Sequence, residues 1–148
     1  MCDRENEPTA DYAVQLAPTI GEGVYYAFNT TANDENLREA FADPRFRKAM
    51  SVAINREEIL DLVYLGLGQP AQSTPAAIGT VDFLTEEHIN AYTQYDPDLA
   101  RSLLDEMGLK DSDGDGVRER PDGKPLVVQL IYSSQGAPVK MQELVRDY

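Results

Sequence analysis

The chain has 148 residues, of which 26 are acidic and 13 basic, so its formal net charge at pH 7 is −13. A surface this negative repels a phosphate backbone, which argues against nucleic acid as a partner. The apolar fraction of 42% includes 8 tyrosines and 4 phenylalanines, enough to build one folded core. Cys2 is the only cysteine, so an internal disulfide and a thiolate metal cluster are excluded.

The beginning of the chain differs in composition from the rest. Residues 1–11 are expected to be extended or disordered, and the folded part is expected to span residues 12–148. No apolar run approaches the roughly 20 residues that a membrane-spanning helix needs. No basic start leads into an apolar segment of the kind that a secretory signal requires.

Three strands are predicted. Near 12–17 and 24–29, β-branched and aromatic residues alternate with polar or small ones, which is typical of strands. Nearly every position of 126–132 is apolar, as expected of a strand in the interior of a sheet.

Four helices are predicted from start signals and helical spacing, near 44–54, 56–65, 97–107 and 138–147. Asp43 and Asp96 each precede a proline, the form of a cap followed by proline at the first helical position. Asn55 with Glu58 three residues later resembles a capping box. Thr85 is expected to cap a further short helical turn.

A long irregular loop is predicted from Gly66 to Gly79, where Gly, Pro, Ser, Thr and Gln dominate. Loops of this length are often functional. The segment is therefore a candidate ligand loop.

Catalysis has little support in the sequence. The single histidine, His88, lies among acidic residues in a polar turn. The sequence has no Gly-x-Ser-x-Gly elbow, phosphate-binding glycine loop or HExxH pair. We therefore expect a protein that is not an enzyme.

The sharpest local motif is an acidic turn that resembles a calcium-binding loop. Asp111, Asp113 and Asp115 supply carboxylates at positions 1, 3 and 5, a glycine follows at position 6, Val117 offers a carbonyl at position 7, and Asp122 stands at position 12. Aspartate replaces the usual glutamate there, and the proline before it forbids the helix that follows in an EF-hand. The alternative is an Asx-turn whose aspartates bond their own backbone.

Two blocks in order resemble family 5 of the bacterial extracellular solute-binding proteins, the oligopeptide-, dipeptide- and nickel-capturing subunits of ABC importers. The first is an aromatic-Asn strand end at 26–29, followed over 41–59 by Asp-x-Arg-x-Arg-x-Ala and Ala-Ile-Asn-Arg. The second is 95–109, followed by an Asp-Gly-Asp-Gly turn, Asp-Gly-Lys-Pro-Leu at 122–126 and a strand.

The resemblance implies an α/β fold in which a small mixed sheet flanked by helices forms a partial lobe of a periplasmic-binding-protein-like structure. Residues 12–148 would correspond to a fragment of the C-terminal lobe, since family members are several times longer. The two lobes of such a protein close on the solute between them.

The resemblance also implies a function. The chain would be part of the solute-binding subunit of an ABC importer, capturing a peptide or similar small solute for the permease of the inner membrane. It would lie in the periplasm or outside the cell, with membrane association only through the longer protein. The candidate ligand contacts fall where the cleft-facing elements of the family lie, and they are Phe28, Asn29, Gly66 and Gln69.

Two other functions remain open. The acidic turn alone would suit a free-standing calcium-binding interaction module, with calcium as its cofactor. A small hydrolase is the third possibility. An exposed cleft surface with a broken sheet edge would favour the solute-binding subunit. A closed core ordered by a metal would favour the calcium-binding module, and measured turnover would favour the hydrolase.

Overall fold

The computed structural model describes residues 24–74, 81–133 and 136–148. Within these residues it contains six helices, α1 Glu35–Ala42, α2 Pro44–Ala53, α3 Arg56–Tyr64, α4 Glu86–Asn90, α5 Pro97–Glu106 and α6 Val139–Asp147. Turns, irregular chain and two isolated β-bridges make up the rest of the described part. Each of these helices is too short, or too polar, to cross a bilayer.

The predicted helix starts are confirmed. Asp43 accepts a hydrogen bond from the backbone N–H of Arg45 at 2.7 Å, and Asn55 accepts one from the N–H of Glu58 at 3.2 Å. Asp96 caps α5 in the same way through the N–H of Leu99. Each side chain satisfies a backbone donor that has no partner inside its helix.

The end of α5 is also the predicted one. Gly108 adopts a left-handed φ of +76°, which a residue with a Cβ adopts only with strain. The N–H of Leu109 then reaches the carbonyl of Leu104 at 3.0 Å, and the N–H of Gly108 reaches that of Asp105 at 3.0 Å. This Schellman arrangement buries Leu109 against the helix that it terminates.

Helix α1 was not predicted from the sequence, whereas the short turn at Thr85 was. Asp34 caps α1 by accepting from the N–H of Leu37 at 3.1 Å. The turn at Thr85 becomes α4, in which the Nδ1 of His88 accepts from the backbone N–H of Thr85 at 3.3 Å. The single histidine of the chain is thereby used in a local cap.

The core lies where α1, α2 and α5 meet. Helix α2 packs along α5, and Phe46 of α2 is completely buried. The centre of its ring lies 5.4 Å from the ring centres of Phe28 and Phe41. The Phe28 ring meets it edge to face and the Phe41 ring is tilted, and together the three rings bury a large apolar area. The buried members of this core are Ala40, Phe41, Phe46, Ala49, Val52, Ala100, Leu104 and Leu109.

Helix α6 forms a second, smaller contact with α3. The hydroxyl of Tyr64 approaches the sulfur of Met141 at 3.6 Å, and Lys140 donates to the carbonyl of Leu62 at 3.3 Å. Tyr26 donates to Gln142, the residue after Met141 in α6, at 2.8 Å.

The predicted small mixed sheet is not found in the described residues. Neither 24–29 nor 126–132 pairs into a strand ladder, and the described β structure consists of two isolated antiparallel bridges, Lys110 to Glu119 and Glu119 to Pro125. A strand forms only where a neighbouring strand meets its N–H and C=O groups. The apolar sequence of 126–132 predicts a buried segment, but most of its side chains are exposed, and Ile131 is 84% exposed. The segments predicted near 12–17 and 1–11 lie outside the described residues.

Candidate functional site

Asn29 lies exposed at the start of a tight turn before α1. Its side-chain oxygen accepts from the N–H of Thr31 at 3.0 Å and from the Thr31 hydroxyl at 2.8 Å. Its side-chain nitrogen makes no hydrogen bond within the described part of the chain. The Asx-turn fixes the direction of this amide group.

Phe28 occupies a different environment from Asn29. Its ring is half-buried and packs against Phe41 at 5.5 Å and Phe46 at 5.4 Å. This ring therefore joins the candidate site to the core, and it holds Asn29 in place through the chain.

The other two candidate ligand residues follow α3. Leu65 and Gly66 adopt left-handed φ values of +56° and +72°, and the N–H of Gly66 closes the helix by donating to the carbonyl of Leu60 at 3.0 Å. Gln69 follows and is exposed. The predicted loop continues as irregular chain to residue 74, and 75–80 lie outside the described residues.

Helix α6 borders both candidate segments. Tyr26, three residues before Asn29, contacts Gln142, and Tyr64, two residues before Gly66, contacts Met141. Burial raises the pKa of Tyr26, and the neighbouring Tyr64 adds to that shift. The two segments are thus each joined to α6 at consecutive residues.

The acidic turn brings four carboxylates together. One oxygen from each of Asp111, Asp113, Asp115 and Glu119 lies within 4.8 Å of the others. Carboxylate oxygens at this spacing are the ligands that Ca²⁺ prefers. Val117, the predicted carbonyl ligand, is in the same turn and 41% exposed.

The same turn is also held by bonds to its own backbone. Asp111 accepts from the N–H groups of Gly114 at 2.7 Å and Gly116 at 3.0 Å, and Asp115 accepts from that of Val117 at 2.7 Å. These Asx-type bonds order the turn without a metal. Calcium binding stays a prediction.

Glu119 was not among the residues that the sequence pattern selected, and Asp122 has other partners. Asp122 accepts from Arg120 at 2.9 Å and lies 3.6 Å from the ammonium of Lys124. Glu119 stands at position 9 of the loop motif, where calcium loops often carry a ligand that acts through water. Acidic residues stand at every second position from Asp111 to Asp115, and Glu119 lies in the same register. This spacing could have identified Glu119 as a candidate ligand.

Arginines flank the turn on both sides. Arg118 pairs with Asp105 at the end of α5, and its hydrogen bond holds the pKa of that carboxyl below the ordinary value. Arg120 is buried and pairs with Asp34 and Asp122. The turn is thereby fastened to α5 and to the start of α1.

The family described as bacterial extracellular solute-binding proteins, family 5 (middle region), matches residues 5–148 of this chain. A putative ABC transporter peptide-binding protein of Brucella ovis is 36% identical over 130 residues, which cover 88% of this chain and 22% of that protein. The nickel-binding periplasmic protein of Escherichia coli is 29% identical over 136 residues, which cover 91% of this chain and 24% of that protein.

A solved structure is similar as well. The oligopeptide-binding protein OppA superposes with a TM-score of 0.62 and 46% sequence identity, over 68% of this chain and 16% of that protein. The chain therefore spans about a fifth of the length of the curated relatives that it matches. The fold of the matched part is that of a periplasmic binding protein, and the chain belongs to family 5 of the bacterial extracellular solute-binding proteins.

Proposed function

We propose that the chain is part of the extracellular solute-binding subunit of an ABC importer and has no enzymatic activity of its own. The observation that carries the proposal is the family match over residues 5–148. The subunit captures a small solute in the periplasm or outside the cell and delivers it to the permease of the inner membrane. Membrane association arises through the longer protein.

A peptide is the favoured solute. The Brucella ovis relative is named as peptide-binding and OppA as oligopeptide-binding, and OppA has the higher identity of the two. The amide side chains of Asn29 and Gln69 carry both donors and acceptors, as peptide backbones do. Such groups can pair with a peptide without selecting its side chains.

The site is shared between this chain and the rest of the protein. Residues 12–148 form part of the C-terminal lobe, and the cleft lies between that lobe and a second one. Closure of the lobes buries the solute and is favoured by contacts that exist in the closed state alone. One lobe therefore supplies part of the affinity.

A chimera tests the proposal. The segment of OppA that matches this chain is replaced by this chain, and binding of a random pentapeptide pool is measured by calorimetry. Loss of one ligand hydrogen bond in Asn29→Ala or Gln69→Ala is expected to weaken binding by roughly fivefold. Gln94→Ala, at an exposed glutamine in a turn before α5, is the matched control. Unchanged affinity in both Asn29→Ala and Gln69→Ala would remove these contacts from the site.

For the acidic turn we propose a structural calcium ion. The convergence of the four carboxylates within 4.8 Å supports it. The ion would brace the connection between α5 and the segment that begins at Leu126 and would take no part in solute recognition.

A further inference from the structure

Gln72 joins the candidate ligand loop to two other parts of the molecule. Its side-chain nitrogen donates to the hydroxyl of Ser51 in α2 at 2.9 Å and to the carbonyl of Ala91 at 2.7 Å. Its backbone N–H donates to the carbonyl of Ile89 in α4 at 2.8 Å. The loop is therefore tied to the end of α2 and to the turn that follows α4.

Ser51 is the centre of this network. Its hydroxyl donates to the carbonyl of Tyr92 at 2.7 Å and accepts from Gln72 and from the guanidinium of Arg56 at 2.8 Å. Arg56 also donates to the carbonyl of Ser51 at 2.7 Å. One donor and two acceptor positions of the hydroxyl are thus used, which fixes its direction.

Arg56 stabilises the network without forming an ion pair in the described part of the chain. The guanidinium is half-buried, and burial lowers its pKa. Its donors go to Ser51 and, at 3.4 Å, to the carbonyl of Thr93. A charged donor makes stronger hydrogen bonds than a neutral one.

Tyr92 shows that the network holds a strained backbone. Its φ is +54°, a left-handed conformation that is uncommon for a bulky residue. Its carbonyl accepts from Ser51, and the ammonium of Lys48 lies 4.8 Å from the centre of its ring. A strained conformation persists where several surrounding contacts hold it, and such residues concentrate at functional sites.

We propose that Gln72 is the positioning residue of the ligand loop, tethering residues 66–74 to Ser51 and thereby setting where Gly66 and Gln69 stand. Its amide donors are already used, so it acts through the loop and does not contact the solute. A loop ordered before binding loses less conformational entropy when the solute arrives. The link to solute binding rests on the proposed function, whereas the tether itself does not.

Amide hydrogen exchange on the full chain without solute tests the tether. Gln72→Met keeps the length of the side chain and removes its donors. The protected amides of Leu67 and residue 72 are expected to exchange roughly tenfold faster, while those in the middle of α2 and α5 keep their rates. Gln94→Ala is the control, with exchange rates as in the parent chain. If Gln72→Met unfolds the chain, Gln72→Asn, one methylene shorter, provides the same comparison.

A double-mutant cycle adds a readout that a general packing role would leave unchanged. Ser51→Ala removes the acceptor, so combining it with Gln72→Met is expected to accelerate loop exchange less than the product of the two single effects. Ser51→Thr restores the hydroxyl and is expected to restore slow exchange. Loop exchange in Gln72→Met equal to that of the parent, strictly multiplicative effects, or acceleration spread over all helices would overturn the tether. The proposed function is tested separately, by the affinity of the OppA chimera.

Discussion

Arg120 donates a hydrogen bond to Asp34 at 2.7 Å and so ties the end of the acidic turn to the start of α1, 86 residues earlier in the chain. The side-chain hydrogen bond from Arg120 holds the pKa of Asp34 below its ordinary value of 3.8, and the backbone N–H of Leu37 acts in the same direction. Arg120 itself is 8% exposed. This pair connects two parts of the fold that no helix joins.

The Arg120 to Asp34 pair predicts a loss of stability in acid. A carboxyl whose pKa is lower in the folded than in the unfolded chain stabilises the fold fully above its unfolded pKa, and this stabilisation is lost as the pH falls through the folded value. The melting temperature is therefore expected to fall below about pH 4. Asp34→Asn keeps the capping oxygen and loses the charge, so its melting temperature should fall less with decreasing pH than that of the parent chain.

Thermal melts between pH 6 and pH 3 measure this difference. Asp82→Asn, at an exposed aspartate in a turn, is the matched control and should retain the slope of the parent chain. Parallel curves for Asp34→Asn and the parent would show that the pair does not set the acid sensitivity.

The cap of α5 predicts a measurable loss of helix stability. Asp96→Ala removes the oxygen that accepts from the N–H of Leu99 at 2.9 Å and is expected to cost about 1 kcal/mol. Ser102→Ala, exposed on the same helix, is expected to stay within about 0.5 kcal/mol of the parent. Urea denaturation midpoints compare the two, and equal midpoints for Asp96→Ala and the parent would mean that the cap contributes nothing in solution.

The aromatic cluster predicts the largest effect of a single substitution. Phe46 has no exposed surface, so Phe46→Ala is expected to destabilise the fold by about 3–5 kcal/mol through lost burial and a residual cavity. Phe83 is 69% exposed, and Phe83→Ala is expected to change stability by less than about 1 kcal/mol. Similar denaturation curves for the two variants would place the core elsewhere.

Calcium is expected to stabilise the chain if the acidic turn binds it. At a concentration one hundred times the dissociation constant, the gain is about 2.7 kcal/mol when the ion binds the folded state alone. The double substitution Asp113→Ala with Asp115→Ala should abolish that gain. Magnesium should give less, because it demands tighter octahedral geometry and keeps its waters.

Two further variants identify the remaining ligand. Glu119→Gln is expected to raise the calcium dissociation constant, because Glu119 lies with the three aspartates. Asp122→Asn should raise it less, since Arg120 and Lys124 already occupy that carboxylate. A melting temperature indifferent to millimolar calcium and to chelator would leave the Asx-turn as the full explanation of the motif.

Helix boundaries could be predicted because their signals are local. Asp43 and Asp96 stand one residue before a proline, and three residues suffice to recognise such a start. Helix α1 has no proline start, and its buried face is restricted to Ala40 and Phe41, too short a stripe to reveal a period. The mixed sheet was predicted from 12–17, 24–29 and 126–132, but pairing depends on a neighbouring strand that no local pattern specifies.

The candidate site also contains one part that the sequence predicts and one part that it does not. The acidic turn could be predicted because its residues are consecutive, and Glu119 continues the same alternate spacing. The link between Gln72 and Ser51 spans 21 residues and follows no motif. It depends on how α2 packs beside the turn after α4, and that packing is set by the core.

Isothermal titration calorimetry with one random pentapeptide pool tests the central claim most directly, by comparing the chain alone with the OppA chimera that contains it. In the proposed function the ligand contacts are divided between two lobes, so we expect no measurable heat of binding from the folded chain alone and saturable binding by the folded chimera. Micromolar binding by the chain alone, or a folded chimera that gives no heat, would contradict it.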